Sequence, residues 1–461
     1  KEITRLEIIS KPGDAYENSS ELIMRYLTTG NIFLTFTSNV YLKLLDIPFF
    51  VLFRLFGMTS DKEIIDNIVY GYSETGKPDD VSDHMLQILK MAFRTSDPVF
   101  GHAMHITDQA QLLRYFAKQT SILYTSGTIS AEAEIDENNL NYLTTNILRL
   151  LDKNVLPHIG LSHESRHRKL RYLGYLIHKC LLVEYEIVDS TDRDSFINKR
   201  VNPAGRGYAK AFKTQFNLAI VQQVKKKLRK QFKNMPFSQV PLAQSFKNSI
   251  YGPDLERALI QTIVSGNKEM TLKNKQISNR LASEMLNRKN QLNVLSTLRV
   301  IRTPNTSASK QDQRADEMRR VHPSYLGYIC PIQSADTGEQ VGMVKQLALT
   351  AGVAPPGISQ LLKHKLLADP TVIPLDRVFP EDIHSNNLTK IFVNGDWVGC
   401  CINSPALFFK YRDLRRGYDI EAADLKSARV EHGIDRYCTI HWDPNANEVG
   451  FWVDPGRLSR P

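Results

Sequence analysis

The stretch Arg319-Arg320-Val321-His322-Pro323-Ser324-Tyr325-Leu326-Gly327-Tyr328-Ile329-Cys330-Pro331-Ile332 constrains the fold more than any other part of the chain. Ten residues on comes Gly342-Met343-Val344-Lys345-Gln346-Leu347-Ala348-Leu349. Proline fixes φ and donates no hydrogen bond, and glycine reaches backbone conformations closed to other residues. Pro323, Gly327, Pro331 and Gly342 therefore read as backbone-shaping positions, setting turns where no long helix or strand can run. Cys330 reads as a small packed residue. His322 precedes a proline and has no acid or nucleophile near it in sequence, so a structural, hydrogen-bonded histidine is expected rather than a general acid.

With 461 residues the chain is too long for one ordinary core, and two to four domains are expected. Hydrophobic content of 42% and charged content of 23% fit a folded protein and exclude a disordered one. Lys plus Arg is 59 against 49 for Asp plus Glu, a net charge of +10 that favours polyanionic partners. The five cysteines (Cys180, Cys330, Cys400, Cys401 and Cys438) include no C-x-x-C pair. Neither a zinc site nor a disulfide framework is supported, and free thiols in a reducing compartment are expected. The longest apolar run, Ile47 to Phe53, contains Pro48 and stops at Arg54, short of the roughly 20 residues that span a bilayer. The opening Lys1-Glu2 carries no initiator Met or leader, and reads as the start of a piece of a longer polypeptide without a secretory signal.

Leu6-Glu7-Ile8-Ile9 and Ile32-Phe33-Leu34-Thr35-Phe36-Thr37 alternate and are rich in β-branched and aromatic residues, which predicts strands up to about residue 40. From Leu44 to about Glu186 the pattern is helical. Ser60 with Glu63 predicts a capping box ahead of Ile64, Ile65, Ile68 and Val69. Asn139–Leu156 and Lys169–Glu186 predict further helices, with loops at 76–80 and 126–134. A polar, Gly/Pro-punctuated stretch from Asp192 to Gly207 predicts a boundary. The Phe216–Phe232 helix that follows places Val221, Val224, Leu228 and Phe232 on one side. Lys225, Lys226, Lys227, Arg229 and Lys230 cover the remainder, and read first as a solvated face and second as a phosphate contact. Beyond about Gly338 strands return, and Asn394-Gly395 between alternating runs predicts a hairpin.

The opening motif resembles R-x-V-H-P-S/T-x-x-G-x-x-C-P-x-E-T-P-E-G-x-x-x-G-L-x-x-x-L, the signature of the second-largest, beta-type subunit of multisubunit DNA-dependent RNA polymerases. Further blocks follow in the family's order. Ile47-Pro48 through Gly57 resembles I-P-x-x-x-x-F-R-A-L-G, and Asn154-Val155-Leu156-Pro157-His158-Ile159 resembles F-L-P-H-I. Lys169 to Ile177 resembles K-x-x-F-L-G-Y-M-I, and Asp192 to Arg200 is similar to D-x-D-H-x-x-N/K-K/R-R. Val264 to Asn267, Ser283 to Arg288, Phe392 to Trp397 and Val453 to Pro461 resemble A-T-G-N, S-Q-x-L-N-R, F-V-N-G-x-W and T-D-A-G-R-x-x-R-P. The style is eukaryotic or viral rather than bacterial, and divergence within the motif points to a large DNA virus as a source.

The resemblance implies an α+β multidomain fold: protrusion (1–43 and 198–262), mainly helical lobe (44–197), fork (263–342) and β-rich external domain (343–461). It implies a part in template-directed RNA synthesis, lining the DNA/RNA cleft beside the active centre. Such a site must neutralise phosphates without reading bases. The candidates are Arg288, Arg299 and Arg302, the motif's own Arg319 and Arg320, Lys310 and Arg314 in the polar 305–314 stretch, and Lys199 with Arg200. Each reads alternatively as structural: the arginines in ion pairs within the fork, Lys199 and Arg200 pinned by Asp192 and Asp194, and 305–314 as a surface loop.

No catalytic residue and no metal ligand is expected in this chain. The resemblance assigns the magnesium-binding aspartates to the largest subunit and a zinc region to sequence beyond Pro461. It implies the largest and smaller polymerase subunits, DNA template, RNA transcript and transcription factors as partners, no membrane, and an intracellular location, nuclear if cellular and cytoplasmic if viral. The pattern departs after Ile332, where Gln333-Ser334-Ala335-Asp336-Thr337-Gly338 replaces E-T-P-E-G, so the first acid is absent. A non-catalytic module that binds nucleic acid or transcription factors is the other reading. A stand-alone single-strand binder needs aromatic platforms interleaved with basic residues, which the 216–232 helix lacks.

Overall fold

The computed structural model describes residues 2–10, 20–37, 46–70, 80–93, 106, 108–116, 137–192, 194–234, 255–257, 259–260, 286–302, 319–335, 341–385, 387–416 and 434–460. Helices and several sheets alternate along them, a mixed α+β fold as expected. The chain divides into two units, Lys1–Thr191 with Gly357–Asp454, and Asp192–Pro356 with Pro455–Pro461.

The first unit opens on an antiparallel sheet of β1 (Glu2–Ser10), β2 (Ser20–Leu27), β3 (Ile32–Thr37) and β4 (Ile47–Pro48), in that order. Alternate residues of β2 point inward, so Leu22, Met24 and Tyr26 are buried. They meet the Phe49–Leu55 helix, in which every residue is buried. Phe49 packs edge-on to Phe50 and Phe93 with ring centroids 5.9 and 5.1 Å apart. Aromatic side chains buried in this way contribute about 1.5–3 kcal/mol each. The Asp61–Val69 and Arg166–Glu184 helices touch at Gly174, where a Cβ would lie 2.6 Å from the Asn67 carbonyl oxygen. The Asp61–Val69 helix starts where the capping box predicts, but the Ser60 side chain makes no cap hydrogen bond.

The same unit contains a five-stranded sheet in the order β11 (Thr439–Asp443), β12 (Glu448–Trp452), β9 (Thr389–Val393), β10 (Asp396–Cys401) and β8 (Val372–Pro374). All neighbours are antiparallel except β12 and β9. The predicted hairpin joins β9 to β10, with Asn394 at φ 51° and Gly395 at φ 82°, the left-handed pair that a two-residue turn demands. Every residue of β9 and β10 is buried. Phe392, Trp397 and Cys400 join the core shared with β2 and the helices, while Ile391, Val393, Val398 and Cys401 face a second core. The Ser359–Ala368 and Ser404–Arg416 helices supply Leu362, Leu366, Leu407 and Tyr411 to that second core.

Several buried polar groups of this unit are paired, although Asp396 Oδ1 and Arg171 Nη1 are among the buried atoms without a hydrogen-bond partner among the described residues. Asp396 accepts from Arg168 and Lys363, each at 2.5 Å. His158, of the Leu-Pro-His-Ile block, receives the Ser10 hydroxyl on Nδ1 at 2.7 Å and donates from Nε2 to the Gly395 carbonyl at 3.3 Å. Burial lowers its imidazole to about 4. Lys169 is fully buried with its ammonium on the Asp152 carbonyl, and burial lowers it to about 8. None of the five cysteines forms a disulfide. Burial raises the Cys180 and Cys401 thiols to about 12 and that of Cys400 to about 11.

The second unit holds two short antiparallel ladders, β5 (Val300–Arg302) with β6 (Val344–Gln346), and β7 (Gly352–Val353) with β13 (Leu458–Ser459). Its core is small: Phe196, Tyr325, Ile329 and Leu458. A long helical run also belongs here, longer than the predicted Phe216–Phe232 helix. It comprises Ala204–Phe216, a π-helical turn at Asn217–Gln222, and Gln223–Asn234. No helix among the described residues is long and apolar enough to cross a membrane.

Candidate nucleic-acid interface

The second unit is assembled around the proline- and glycine-punctuated motif. The Gln291–Leu298 helix is capped by Asn290, whose side chain accepts the Asn293 amide at 2.7 Å. It leads through Arg299 into β5, and β5 pairs with β6 in the register Val300–Gln346, Ile301–Lys345 and Arg302–Val344. On its other side, β6 meets the motif: the Cys330 amide donates to the Gln346 carbonyl at 2.8 Å, and the Ala348 amide to the Tyr328 carbonyl at 2.9 Å. Gly342 turns the chain into β6 at φ 72°, and a Cβ there would lie 2.4 Å from both Cα and the carbonyl oxygen of Arg319. Gly327, at φ 78°, is a second glycine in the left-handed region. Pro323 opens the single turn Pro323–Tyr325, and Pro331 opens the short helix Pro331–Ala335.

Two distant blocks close on the motif. The Phe196 amide donates to Ser324 Oγ at 3.0 Å, and the Phe196 ring meets the Tyr325 ring edge-on at 4.9 Å. The Val201 amide donates to the Gly456 carbonyl at 2.7 Å, while Arg460 donates to the Leu326 carbonyl at 3.2 Å and covers the Tyr328 ring. Residues near 196, 325 and 456 thus form one frame, although well over a hundred positions separate each from the next.

His322 meets an acid brought from a distant part of the chain: Asp192 Oδ2 lies 2.8 Å from its Nε2. Nδ1 accepts the Ser324 amide at 3.1 Å and lies 2.8 Å from Ser324 Oγ, so the ring proton belongs on Nε2, facing Asp192. The Asp194 amide, and then His322, hold the Asp192 carboxyl below its usual range. The ring thus forms a clasp between the Asp192 segment and the turn. Cys330 is half-buried.

The basic candidates separate into groups. Arg299 Nη2 donates to the carbonyls of Ala348, Leu349 and Ala351 at 2.6, 3.2 and 2.8 Å, so its guanidinium holds the chain that leaves β6. Arg319 donates to the Val341 carbonyl at 3.1 Å. Lys199 lies 3.3 Å from Asp194 and over the Phe196 ring, and Arg200 donates to the carbonyls of Ile197 and Lys199. Arg288, Arg302 and Arg320 are exposed. Lys310 and Arg314 lie outside the described residues.

Sequence reasoning passed over Lys345 and Gln346. Both are buried. The Lys345 ammonium donates to the Gly342 carbonyl and lies over the Tyr325 ring at 5.9 Å, and burial, then Lys199, lower it. Gln346 donates to the Ser296 carbonyl at 2.9 Å. The one signal for them is a lysine and a glutamine in a short β-like run that begins just after Gly342. Gln333, where the pattern departs from the polymerase signature, reaches Ser296 Oγ at 3.2 Å.

Three family profiles match this chain in order: RNA polymerase Rpb2, domain 2, at residues 30–202; domain 3 at 284–353; and domain 4 at 391–461. The chain belongs to the Rpb2 family, the second-largest subunits of DNA-directed RNA polymerases. It is 28% identical over 457 residues to the Rpb2 protein named DNA-directed RNA polymerase II subunit RPB2 in Encephalitozoon cuniculi, covering 99% of this chain and 34% of that one. It is 29% identical over 418 residues to the Schizosaccharomyces pombe RPB2, covering 90% and 30%. To the DNA-directed RNA polymerase subunit 2 of Acanthamoeba polyphaga mimivirus it is 25% identical over 429 residues, covering 90% and 32%. The chain thus spans about a third of the length of the curated Rpb2 relatives it matches. Domain 3 of the Rpb2 profile holds the Gln291–Leu298 helix, both strands of the β5–β6 ladder and the whole motif.

Proposed function

We propose that this chain forms part of an RNA polymerase that makes RNA on a DNA template from nucleoside triphosphates, and that its second unit braces nucleic acid beside the active centre. One observation supports this above others: the turn-built frame around His322, Tyr325 and β6 uses Arg299 internally while Arg288, Arg302 and Arg320 remain exposed on its elements. Exposed guanidinium groups on a stiff support attract phosphates irrespective of sequence. On this reading residues 1–43 and 198–262 belong to the protrusion, 44–197 to the lobe, 263–342 to the fork and 343–461 to the external domain.

Magnesium chemistry would come from aspartates of the largest subunit. Among the described residues no three His, Cys, Asp or Glu side chains converge to hold a metal ion, so these residues do not fit one. This chain's contribution is to position nucleic acid. The partners are the largest and smaller polymerase subunits, DNA template, RNA transcript and transcription factors, in the nucleus of a cell or in virus-infected cytoplasm. Docking of protein factors is favoured by Leu292, Leu295 and Leu298, which stand exposed at every third position of one helix. Co-purification of the tagged chain with its native partners, read by mass spectrometry, tests the whole reading. A large partner bearing a D-x-D-G-D motif is expected, and recovery of the chain with no such partner overturns it.

A further inference from the structure

We propose that the Gln223–Asn234 helix is a second, separate binding surface, which lies along the phosphate backbones of duplex nucleic acid. Across Ala204–Asn234 the sequence holds nine Lys and Arg and no Asp or Glu, nearly the whole of the chain's net charge of +10. No other element among the described residues concentrates charge of one sign in this way. The segment also lies between the family matches at 30–202 and 284–353.

The structure decides how the charge is presented. Val224 is buried at 5% exposure and Leu228 is half-buried, which fixes the inward side of the helix. Lys225, Lys226, Lys227, Arg229 and Lys230 are all exposed. At about 100° per residue these five sweep an arc of roughly 200° opposite Val224. An ordinary solvated helix face interleaves Glu with Lys to gain i,i+4 pairs, and this one has none to interleave. Like charges packed so closely repel one another, and an anion of matching density relieves that repulsion.

The width of the arc selects the occupant. One phosphate row, as in a single strand, engages a narrow stripe, whereas a groove of duplex offers two rows on either side of an inserted helix. From Lys225 to Lys230 no aromatic ring is present to stack on unpaired bases. The helix is about 18 Å long at 1.5 Å per residue, and duplex DNA carries one charge per ~1.7 Å, so several phosphates of both strands lie within reach. A lipid surface is disfavoured because the helix offers it no continuous apolar face: Val224 is buried, Leu228 half-buried, and Phe232 is its one exposed large apolar side chain.

The proposal extends the polymerase reading but shares no residue with Arg288, Arg302 and Arg320, so the two fail separately. The test measures anisotropy of a short fluorescent DNA duplex of arbitrary sequence against the full chain across a series of KCl concentrations. In the quadruple variant Lys225→Gln, Lys226→Gln, Arg229→Gln, Lys230→Gln, the slope of log affinity against log salt should fall by about 0.9 per lost phosphate contact, or ~3.6 if all four are engaged. The triple variant Arg288→Gln, Arg302→Gln, Arg320→Gln should keep that portion of the slope. An unchanged slope in the quadruple variant overturns the proposal. With the unaltered chain, an unlabelled duplex should compete better than the matching single strand or poly-glutamate. Equal competition by either overturns the proposal without depending on how any variant folds.

Discussion

Gly342 has a hydrogen where any other residue would place a carbon 2.4 Å from the Arg319 backbone, and its φ is 72°. Both costs apply to Gly342→Ala, which should lower the stability of the second unit by about 3 kcal/mol, read as a fall in its urea midpoint. His158 gives a pH prediction in the first unit. Its native value of about 4 lies below the ordinary 6.5, so between those values the unfolded chain binds a proton that the native ring refuses. Stability of this unit should therefore drop as pH falls from 6.5 towards 4. Thermal unfolding at pH 7 and pH 5 checks this, and His158→Gln should flatten the difference. The turn role of Gly342 was legible, because only a special backbone requirement explains glycine in that place. The clasp between Asp192 and His322 was not, because local sequence cannot show which carboxylate arrives from 130 positions away.

Elements obey their sequence signals unevenly. The Asn394-Gly395 turn forms as predicted, since its left-handed backbone is a local demand that those two residues satisfy. A Cβ on Gly395 would meet only ordinary contacts at 3.9 Å, from His158 and Trp452. Gly395→Ala should therefore cost about 1–2 kcal/mol, from backbone strain alone and less than Gly342→Ala. Chemical denaturation of the two variants side by side gives the comparison. At the Asp61–Val69 helix the start is right but Ser60 makes no cap hydrogen bond. Ser60→Ala should then cost under about 0.5 kcal/mol rather than the ~1 kcal/mol of a working cap. What diverts this end lies outside the local pattern: Asp61 is drawn to Arg54, itself buried, at 2.7 Å. Burial of β9 and β10 on both faces was likewise not visible, because each sequence run reports its own polarity and not what covers it.

At the scale of the molecule, family membership was legible because many short blocks keep one order along the chain. How those blocks meet was not, since Phe196, Tyr325 and Gly456 are joined only by folding. On the proposed reading, in which this chain positions nucleic acid and the metal-binding aspartates belong to the largest subunit, it should not polymerise alone. Incubated with primed RNA, template and nucleotides, the purified chain should give no extension above a no-protein control, and extension above that control contradicts the division of labour proposed here.

Cys400 and Cys401 are neighbours on one strand, yet they belong to opposite cores, and both thiols hold their protons well above neutral pH. An alkylating reagent needs both access and a thiolate, and the closed sheet denies it both. Modification at this pair is therefore a clock for sheet opening, ticking once for each face exposed, and the order in which the two sulfurs react would reveal which layer peels away first.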